Sequence, residues 1–164
     1  MRSNVALRAV MGLTVVGAVL VAVSPVSAQT DTPLAVAAVV ADNCIISTVG
    51  INFGSYDPIG GTPAVANGSV TITCTKDATA TISLDLGAFA VGSVRNMDAG
   101  GSDLLEYELF TDAGFAAPWT AAAVDPGPAP STDPRTIIVY GRVPAAQNVS
   151  AGSYNDSVEA TVNF

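Results

Sequence analysis

The sequence predicts an all-β protein built as an antiparallel sandwich. Short segments with an apolar alternation of period two are separated by turn-forming residues, and no segment shows a convincing 3.6-residue apolar stripe. About six such strands spaced by turns are typical of an immunoglobulin-like sandwich. They are predicted at residues 44–53, 69–75, 79–86, 104–111, 135–143 and 157–164.

The alternation is clearest in the second and third predicted strands. Val70, Ile72 and Cys74 share one face of residues 69–75, while serine and threonine occupy the other face. Residues 79–86 repeat the pattern, with an apolar residue at every even position. Both segments are therefore predicted to be half-buried strands.

The remaining strands are predicted from the same pattern and from β-branched residues. Leu105, Tyr107 and Leu109 share one face of residues 104–111, and residues 135–143 are rich in valine and isoleucine. The connecting segments carry clusters of proline, glycine and aspartate, which resist regular pairing and favour turns. These predicted loops are residues 57–63, 98–101 and 125–130.

The N-terminus has the pattern of a secretory signal peptide. Arg2 and Arg8 open the segment, the run from Ala9 to Val23 is apolar, and small residues follow up to Ala28. The run is shorter than the roughly 20 residues that a membrane-spanning helix needs. We therefore predict that residues 1–28 are a cleaved signal peptide and that the exported chain has no membrane span.

Charge and composition exclude several classes of function. The chain has 14 acidic and 6 basic residues and no histidine, and removal of residues 1–28 would leave a net charge of about −10. A strongly negative protein repels nucleic acid and anionic lipid. With two cysteines and no histidine, a metal or cofactor site is not expected, whereas a disulfide suits an oxidising compartment.

Two features are unusual for a complete sandwich. Residues 34–41 are apolar on both faces and must be buried on both sides or in another molecule. At the other end, the last strand stops at Phe164 in an inward-type position, with no following segment. The sandwich is therefore predicted to lack its last strand, and the apolar segment of another molecule would complete it.

A series of short motifs, in order, resembles the spore coat protein U domain family, which includes subunits of archaic, Csu-type chaperone-usher pili. The resemblance covers nearly all of residues 34–164. The motifs are Asn43-Cys44, Phe53-Gly54-Ser55-Tyr56-Asp57-Pro58, Val70-Thr71-Ile72-Thr73-Cys74-Thr75, Arg95-Asn96-Met97, the strand with Leu105, Tyr107 and Leu109 that leads through Thr111-Asp112-Ala113 to Trp119, Val139-Tyr140-Gly141-Arg142-Val143-Pro144, and Gln147 with Ala151-Gly152-Ser153-Tyr154-Asn155-Asp156-Ser157-Val158.

The resemblance implies a pilin-like, incomplete immunoglobulin fold without enzymatic activity. Residues 29–43 would be a donor strand and residues 44–164 the sandwich domain, with a disulfide between Cys44 and Cys74. The implied pocket-filling residues of the donor strand are Leu34, Val36, Ala38 and Val40. The implied residues of the groove that receives a chaperone or donor strand are Val158, Ala160, Val162 and Phe164.

The family also implies partners and a location. These partners are a periplasmic chaperone, an outer-membrane usher and other pilus subunits, which would exchange strands. The chain would pass through the periplasm to a fimbrium at the cell surface or be secreted, with roles in adhesion and biofilm formation. The face assignment of the donor strand stays open, because Ala35, Ala37 and Ala41 on the opposite face are also apolar.

Several other interpretations are weighed against this one. Glu106 and Glu108 share a strand face as paired catalytic carboxylates do, although a solvated face explains them better. Three aspartates, Asp98, Asp103 and Asp112, have the ligand chemistry of calcium sites but not the EF-hand spacing, and turn formation is the usual explanation. Trp119 in the proline-rich loop 113–134 is better explained as a buried aromatic than as a ligand platform.

Two alternatives for the whole protein remain. One is a coat protein that assembles on a spore or cell surface. The other is a monomeric carbohydrate-binding or adhesin module, in which residues 34–40 fold back onto the groove of their own molecule. A stable monomer would favour the module, whereas polymers or a need for a chaperone would favour strand donation.

Overall fold

The computed structural model describes residues 25–164, so most of the predicted signal peptide lies outside the described residues. Residues 25–43 contain no helix or strand, and residues 39–164 form one compact unit. Among the described residues, no helix is long and apolar enough to cross a membrane. The seven strands are β1 (Cys44–Val49), β2 (Ala64–Cys74), β3 (Thr81–Leu84), β4 (Arg95–Asp98), β5 (Leu104–Phe110), β6 (Arg135–Val143) and β7 (Ala160–Asn163).

The strands form two antiparallel sheets, which confirms the all-β prediction. The larger sheet has five strands in the order β1-β2-β6-β5-β4, and the smaller sheet pairs β3 with β7. Buried side chains alternate along β2, β3, β5 and β6, so each of these strands presents one face to a common core. The largest fully buried side chains are Trp119, Phe110, Ile72, Ile82, Val70 and Val143.

The ladder between β2 and β6 is the longest in the fold. It pairs Ala64 with Val143 at one end and Ile72 with Arg135 at the other. The predicted second strand covered only residues 69–75, because the alternation is hidden at Asn67 and Gly68. Gly68 is required there, since a Cβ atom would lie 2.5 Å from the carbonyl oxygen of Val49.

Strand β4 was not predicted from the sequence, because its buried residues are polar, whereas the buried residues of a strand are usually apolar. Arg95 and Asn96 are both buried although both are polar. The Arg95 guanidinium donates hydrogen bonds to the carbonyl oxygens of Leu84 (3.3 Å), Asp85 (2.7 Å) and Trp119 (2.7 Å). Burial lowers the pKa of Arg95. The guanidinium thus fastens the end of β3 to β4 and to the loop that carries Trp119.

A disulfide joins Cys44 to Cys74 at the first residue pair of the β1–β2 ladder. It closes a loop with a sequence separation of 30 residues. By the chain-entropy estimate, a loop of this length is worth roughly 3 to 4 kcal/mol. β1 is an edge strand held by β2 alone among the described strands, so we infer that the disulfide keeps it in the sheet.

Removing the disulfide should destabilise the domain strongly. We expect the double variant Cys44→Ala/Cys74→Ala to lose about 3 kcal/mol in the free energy of unfolding, as measured by urea denaturation. Ser47 is an exposed residue of β1, so Ser47→Ala is the control and should change the free energy of unfolding by less than about 0.5 kcal/mol. Equal denaturation midpoints for the two variants would contradict this account of β1.

Candidate functional site

Two sheet edges lie next to each other without pairing. Among the described residues, β1 pairs only with β2, and β7 pairs only with β3. The Cα atoms of β1 and β7 approach within 8 Å. Backbone groups on the outer edges of these strands are therefore free to pair with an additional strand.

The two remaining sheet edges are covered by loops. Asp98 of β4 exchanges two backbone hydrogen bonds of 2.9 Å with Asn155, and Ile82 of β3 exchanges bonds of 2.7 and 2.8 Å with Val124. Val124 belongs to the proline-rich loop 113–134, which thus acts as a short edge strand. Among the edges of the described sheets, the seam between β1 and β7 is the one left open.

A groove runs along this seam and reaches the core. One part is a cavity of about 340 Å³. It is bounded by residues 48–51, at the end of β1 and just after it, and by Val158 and Ala160, just before β7 and at its first residue. A second cavity of about 750 Å³ continues it between residues 51–58 and 149–155. Core side chains that line the first cavity are Val70, Leu84, Leu109 and Val139. The first cavity therefore has apolar side chains at its base, next to β1 and β7.

The four sequence-predicted groove residues occupy different parts of this seam. Val158 and Ala160 line the groove, and Val162 is half-buried against the core. Phe164 is 58% exposed beyond the end of β7. The opposite wall was not predicted from the sequence. It is formed by residues 48–51, where the alternation of β1 ends.

One wall of the groove carries a polar network. The Tyr107 hydroxyl donates a 2.6 Å hydrogen bond to Oδ2 of Asp156, whose Oδ1 accepts the N–H of Ala88. Burial, reinforced by the Asp156 carboxylate, raises the pKa of Tyr107 far above its ordinary value, so the phenol remains a donor. Gly87 has φ +82°, and a Cβ there would collide with the Asp156 carboxylate.

The pairing between β3 and β7 extends by one more residue pair, Asp85 after β3 and Glu159 before β7, and one of its two hydrogen bonds is made by the Asp85 side chain. The carbonyl oxygen of Asp85 accepts hydrogen bonds from Arg95, so the Oδ1 atom of Asp85 accepts the Glu159 N–H at 2.9 Å instead. The Asp85 N–H donates to the carbonyl oxygen of Glu159 at 3.0 Å. Arg95 and Asp85 together thus fix the position of β7 and of the groove edge.

The predicted donor segment is exposed and has no secondary structure. Leu34, Val36 and Val40 expose 88%, 87% and 81% of their surface, and Ala38 is also exposed. Four large apolar side chains in seven residues, counting Val39 at 96%, are a marked exposure of apolar surface. This segment and the groove are the two features of the described residues that suit binding.

Glu106 and Glu108, considered above as paired carboxylates, make hydrogen bonds that stabilise the sheet. Oε2 of Glu108 accepts hydrogen bonds from Nε and Nη2 of Arg142 at 3.0 and 2.7 Å. The backbone of Glu106 is bound by the amide of Gln147, which accepts its N–H and donates to its carbonyl oxygen, both at 2.8 Å. Gln147 thus mimics a neighbouring strand where β5 would otherwise have a free edge.

The three aspartates considered for calcium have structural roles: Asp98 lies in β4, Asp112 forms a turn and Asp103 binds Ser150. Asp112 accepts the N–H groups of Gly114, Ala116 and Ala117, which lowers its pKa. Asp103 accepts the N–H and hydroxyl of Ser150, which lowers its pKa in the same way. Among the described residues, no cluster of three acidic or cysteine side chains is placed to hold a metal ion.

The loop 113–134 is anchored to the sandwich. Trp119 is 1% exposed, so it is a core side chain as the sequence favoured. Nη1 of Arg135 donates to the carbonyl oxygens of Pro126 and Gly127 at 3.2 and 2.9 Å, and Ala129 pairs with Ala78. The loop therefore completes the core and covers the edge of β3.

Comparisons with known proteins agree on one family. Residues 30–161 match the model of the Spore Coat Protein U domain. The chain is 34% identical to Protein U of Myxococcus xanthus over 177 aligned positions, which cover 97% of this chain and 99% of that protein.

A solved structure shows the same fold. It is the CsuC–CsuE chaperone–tip adhesion subunit pre-assembly complex from the archaic chaperone-usher Csu pili of Acinetobacter baumannii. A chain of this complex matches with a TM-score of 0.57 and 22% identity, over 76% of this chain and 40% of that chain. The fold is therefore an immunoglobulin-like sandwich that lacks a strand. The open seam, the shared fold and the match over most of the sequence establish that the chain belongs to the spore coat protein U domain family.

Proposed function

We propose that the chain is a structural subunit of a secreted surface pilus that polymerises by donor-strand exchange. The family and the fold are those of structural, non-enzymatic proteins and support a pilus or surface subunit. In the proposal, residues 34–40 of one copy occupy the seam between β1 and β7 of the next copy. Residues 1–28 direct export, and the polymer serves adhesion and biofilm formation.

The observation that carries the proposal is that one chain has both an open seam and an exposed apolar segment. An inserted strand would form main-chain hydrogen bonds with β1 and β7, while alternate side chains enter the groove. Leu34, Val36, Ala38 and Val40 are the proposed inserting residues. Full burial of a leucine or valine side chain contributes roughly 1.5 to 3 kcal/mol each.

Insertion of a donor strand must also change the spacing of β1 and β7 in the subunit that receives it. A strand between β1 and β7 requires these strands to stand about 10 Å apart, which is twice the ordinary spacing. Their Cα atoms now approach within 8 Å, so we expect the seam to widen on binding. The empty groove is thus a partly closed form, and a chaperone that holds it open would favour the exchange.

We propose a periplasmic chaperone as the first occupant of the seam and an outer-membrane usher as the site of exchange. The Csu complex is named as a pre-assembly complex of a chaperone and an adhesion subunit, which supports this order of events. Val158, Ala160, Val162 and Phe164 would lie beside the chaperone strand. The chaperone strand would then be replaced by residues 34–40 of an incoming subunit.

Co-purification with a chaperone tests the proposal. We expect the exported chain to be recovered in a one-to-one complex with the chaperone encoded beside it, and to begin at Gln29 by intact mass. Ala160→Arg places a charged side chain in the groove and should reduce the recovered complex at least tenfold. Thr161→Arg is the control on the exposed face of β7 and should leave the yield within twofold. Equal loss in both variants, or no complex with the native chain, would contradict the proposal.

A coat protein is the second candidate, favoured by the 34% identity to Protein U. It would use the same strand exchange on a spore or cell surface. Immunogold labelling separates the two, because pili would appear as labelled filaments and a coat as a labelled layer. The monomeric binding module predicts a different result, namely a stable monomer that needs no chaperone.

A further inference from the structure

The donor segment is connected to β1 by a very short piece of chain. Only Ala41, Asp42 and Asn43 separate Val40 from Cys44. The β1–β2 ladder continues through this piece, since the N–H of Thr75 donates a 2.9 Å hydrogen bond to the carbonyl oxygen of Asn43. The connection is therefore attached to the end of β2.

The side-chain hydroxyl of Thr75 extends the β1–β2 ladder, because the backbone carbonyl group of Thr75 is already bonded elsewhere. The Thr75 carbonyl oxygen accepts the N–H of Ala78 in the turn that follows β2, at 3.1 Å. Oγ1 of Thr75 accepts the Asn43 N–H in its place, at 3.1 Å. The hydroxyl group can donate its one proton to either of two carbonyl oxygens, that of Ala41 at 3.3 Å or that of Asn43 at 3.4 Å. Thr75 thus holds Asn43 in register with the end of β2 and lies within hydrogen-bond distance of Ala41.

A donor segment can bind either the groove of its own molecule or the groove of another molecule, and the hydrogen bonds of residues 41–43 affect which of the two it binds. A segment joined to its own groove by a short flexible link has an effective concentration in the millimolar range, and that concentration falls to near zero when the link cannot span the sites. To lie along the free edge of β1, residues 34–40 would have to reverse direction, with residues 41–43 as the hairpin loop. Three-residue hairpin loops are common, so length alone does not prevent closure.

We propose that Thr75 is a latch that keeps residues 41–43 extended, prevents this reversal and so commits residues 34–40 to a second copy of the chain. Reversal would break the hydrogen bonds of Thr75 to Asn43 and Ala41. The inference rests on the proposed strand exchange and adds to it the reason why exchange occurs between molecules. Thr75 is a positioning residue, because it acts through the backbone of the segment.

Two variants of the full exported chain test the latch. Thr75→Val keeps the β-branched shape and removes the hydroxyl, and insertion of Gly-Ser-Gly-Gly between Ala41 and Asp42 supplies a free turn. Thr73→Val is the matched control, since Thr73 lies two residues earlier, in β2, and pairs with Ile45 of β1. Each protein is refolded from denaturant with its disulfide intact, and the fractions of monomer and polymer are measured by light scattering after size exclusion.

We expect the fraction of heat-resistant monomer to rise at least threefold in Thr75→Val and at least tenfold in the insertion variant. This fraction should rise on dilution, because closure occurs within one molecule whereas strand exchange needs a second molecule. The Thr73→Val control should match the native chain. If the native chain polymerises but Thr75→Val gives no more monomer than Thr73→Val, the latch is wrong and the proposed function is unaffected. Failure of the native chain to polymerise at all would overturn the proposed function on which the latch rests.

Discussion

Replacing Val36 with aspartate should abolish polymer formation while leaving the sandwich folded. Val36 lies in the middle of the proposed inserting face and is 87% exposed in the free chain, so its replacement removes no contact from the folded domain. In the groove, the same carboxylate would be buried beside apolar side chains such as Leu84 and Val139. Burial of an unpaired charge costs several kcal/mol, so we expect the amount of polymer to fall more than tenfold.

The control for this experiment lies on the neighbouring residue. Ala35→Asp introduces the same charge on the opposite face of the segment, and we expect polymer within about threefold of the native amount. Light scattering reports the polymer, and circular dichroism reports the fold of each variant. If Ala35→Asp blocks polymerisation and Val36→Asp does not, the inserting face is the one with Ala35, Ala37 and Ala41.

Replacing Arg95 with methionine should give the largest loss of stability among single substitutions of charged residues. The guanidinium is 6% exposed and donates to three backbone carbonyl oxygens, which would lose their donors. Hydrogen bonds to charged groups contribute roughly 1.5 to 3 kcal/mol, and unsatisfied buried acceptors add to the loss. We expect a decrease of about 3 to 5 kcal/mol in the free energy of unfolding by urea denaturation.

Two further substitutions make the Arg95 experiment specific. Arg95→Lys keeps the charge but lacks the planar fork, so it should recover less than half of the lost stability. Arg142→Met removes a half-exposed guanidinium that pairs with Glu108 and should cost only about 1 kcal/mol. Equal losses for Arg95→Met and Arg142→Met would show that the buried hydrogen bonds do not hold β3, β4 and the loop together.

The sequence predicted the strands whose burial follows simple alternation. Residues 104–111 were located within a residue because Leu105, Tyr107 and Leu109 share one face, and residues 135–143 were located because they are rich in valine and isoleucine. Strand β4 escaped prediction because its core contribution is the guanidinium of Arg95, whose burial depends on carbonyl groups from distant residues. No local pattern reports contacts of that kind.

The open seam was predicted more completely than its walls. The sequence predicted a missing strand and named Val158 and Ala160 as groove residues, and both residues line the groove. The structure places Phe164 beyond the strand and adds a wall from residues 48–51. The cover that Val124 gives to β3 had no sequence signal, and Gln147 stood among the family motifs with no indication of its strand mimicry, because both roles depend on tertiary contacts.

The loops beside β3 and β4 bear on the proposed strand exchange between molecules. Val124 covers β3 and Asn155 covers β4, so the seam between β1 and β7 is the open edge among the described strands. Uncovered edges of β-sheets promote irregular association, and natural proteins cover them. We infer that these two loops restrict strand pairing between molecules to the seam.

The most direct test of strand donation compares the exported chain with a variant that lacks residues 29–42. The account predicts heat-resistant polymers for the native chain and none for the variant, by light scattering after size exclusion. A peptide of residues 34–42 should restore a soluble one-to-one complex with the variant, whereas the same peptide with aspartate in place of Val36 should not. Stable monomers of both proteins with equal melting temperatures would contradict strand donation.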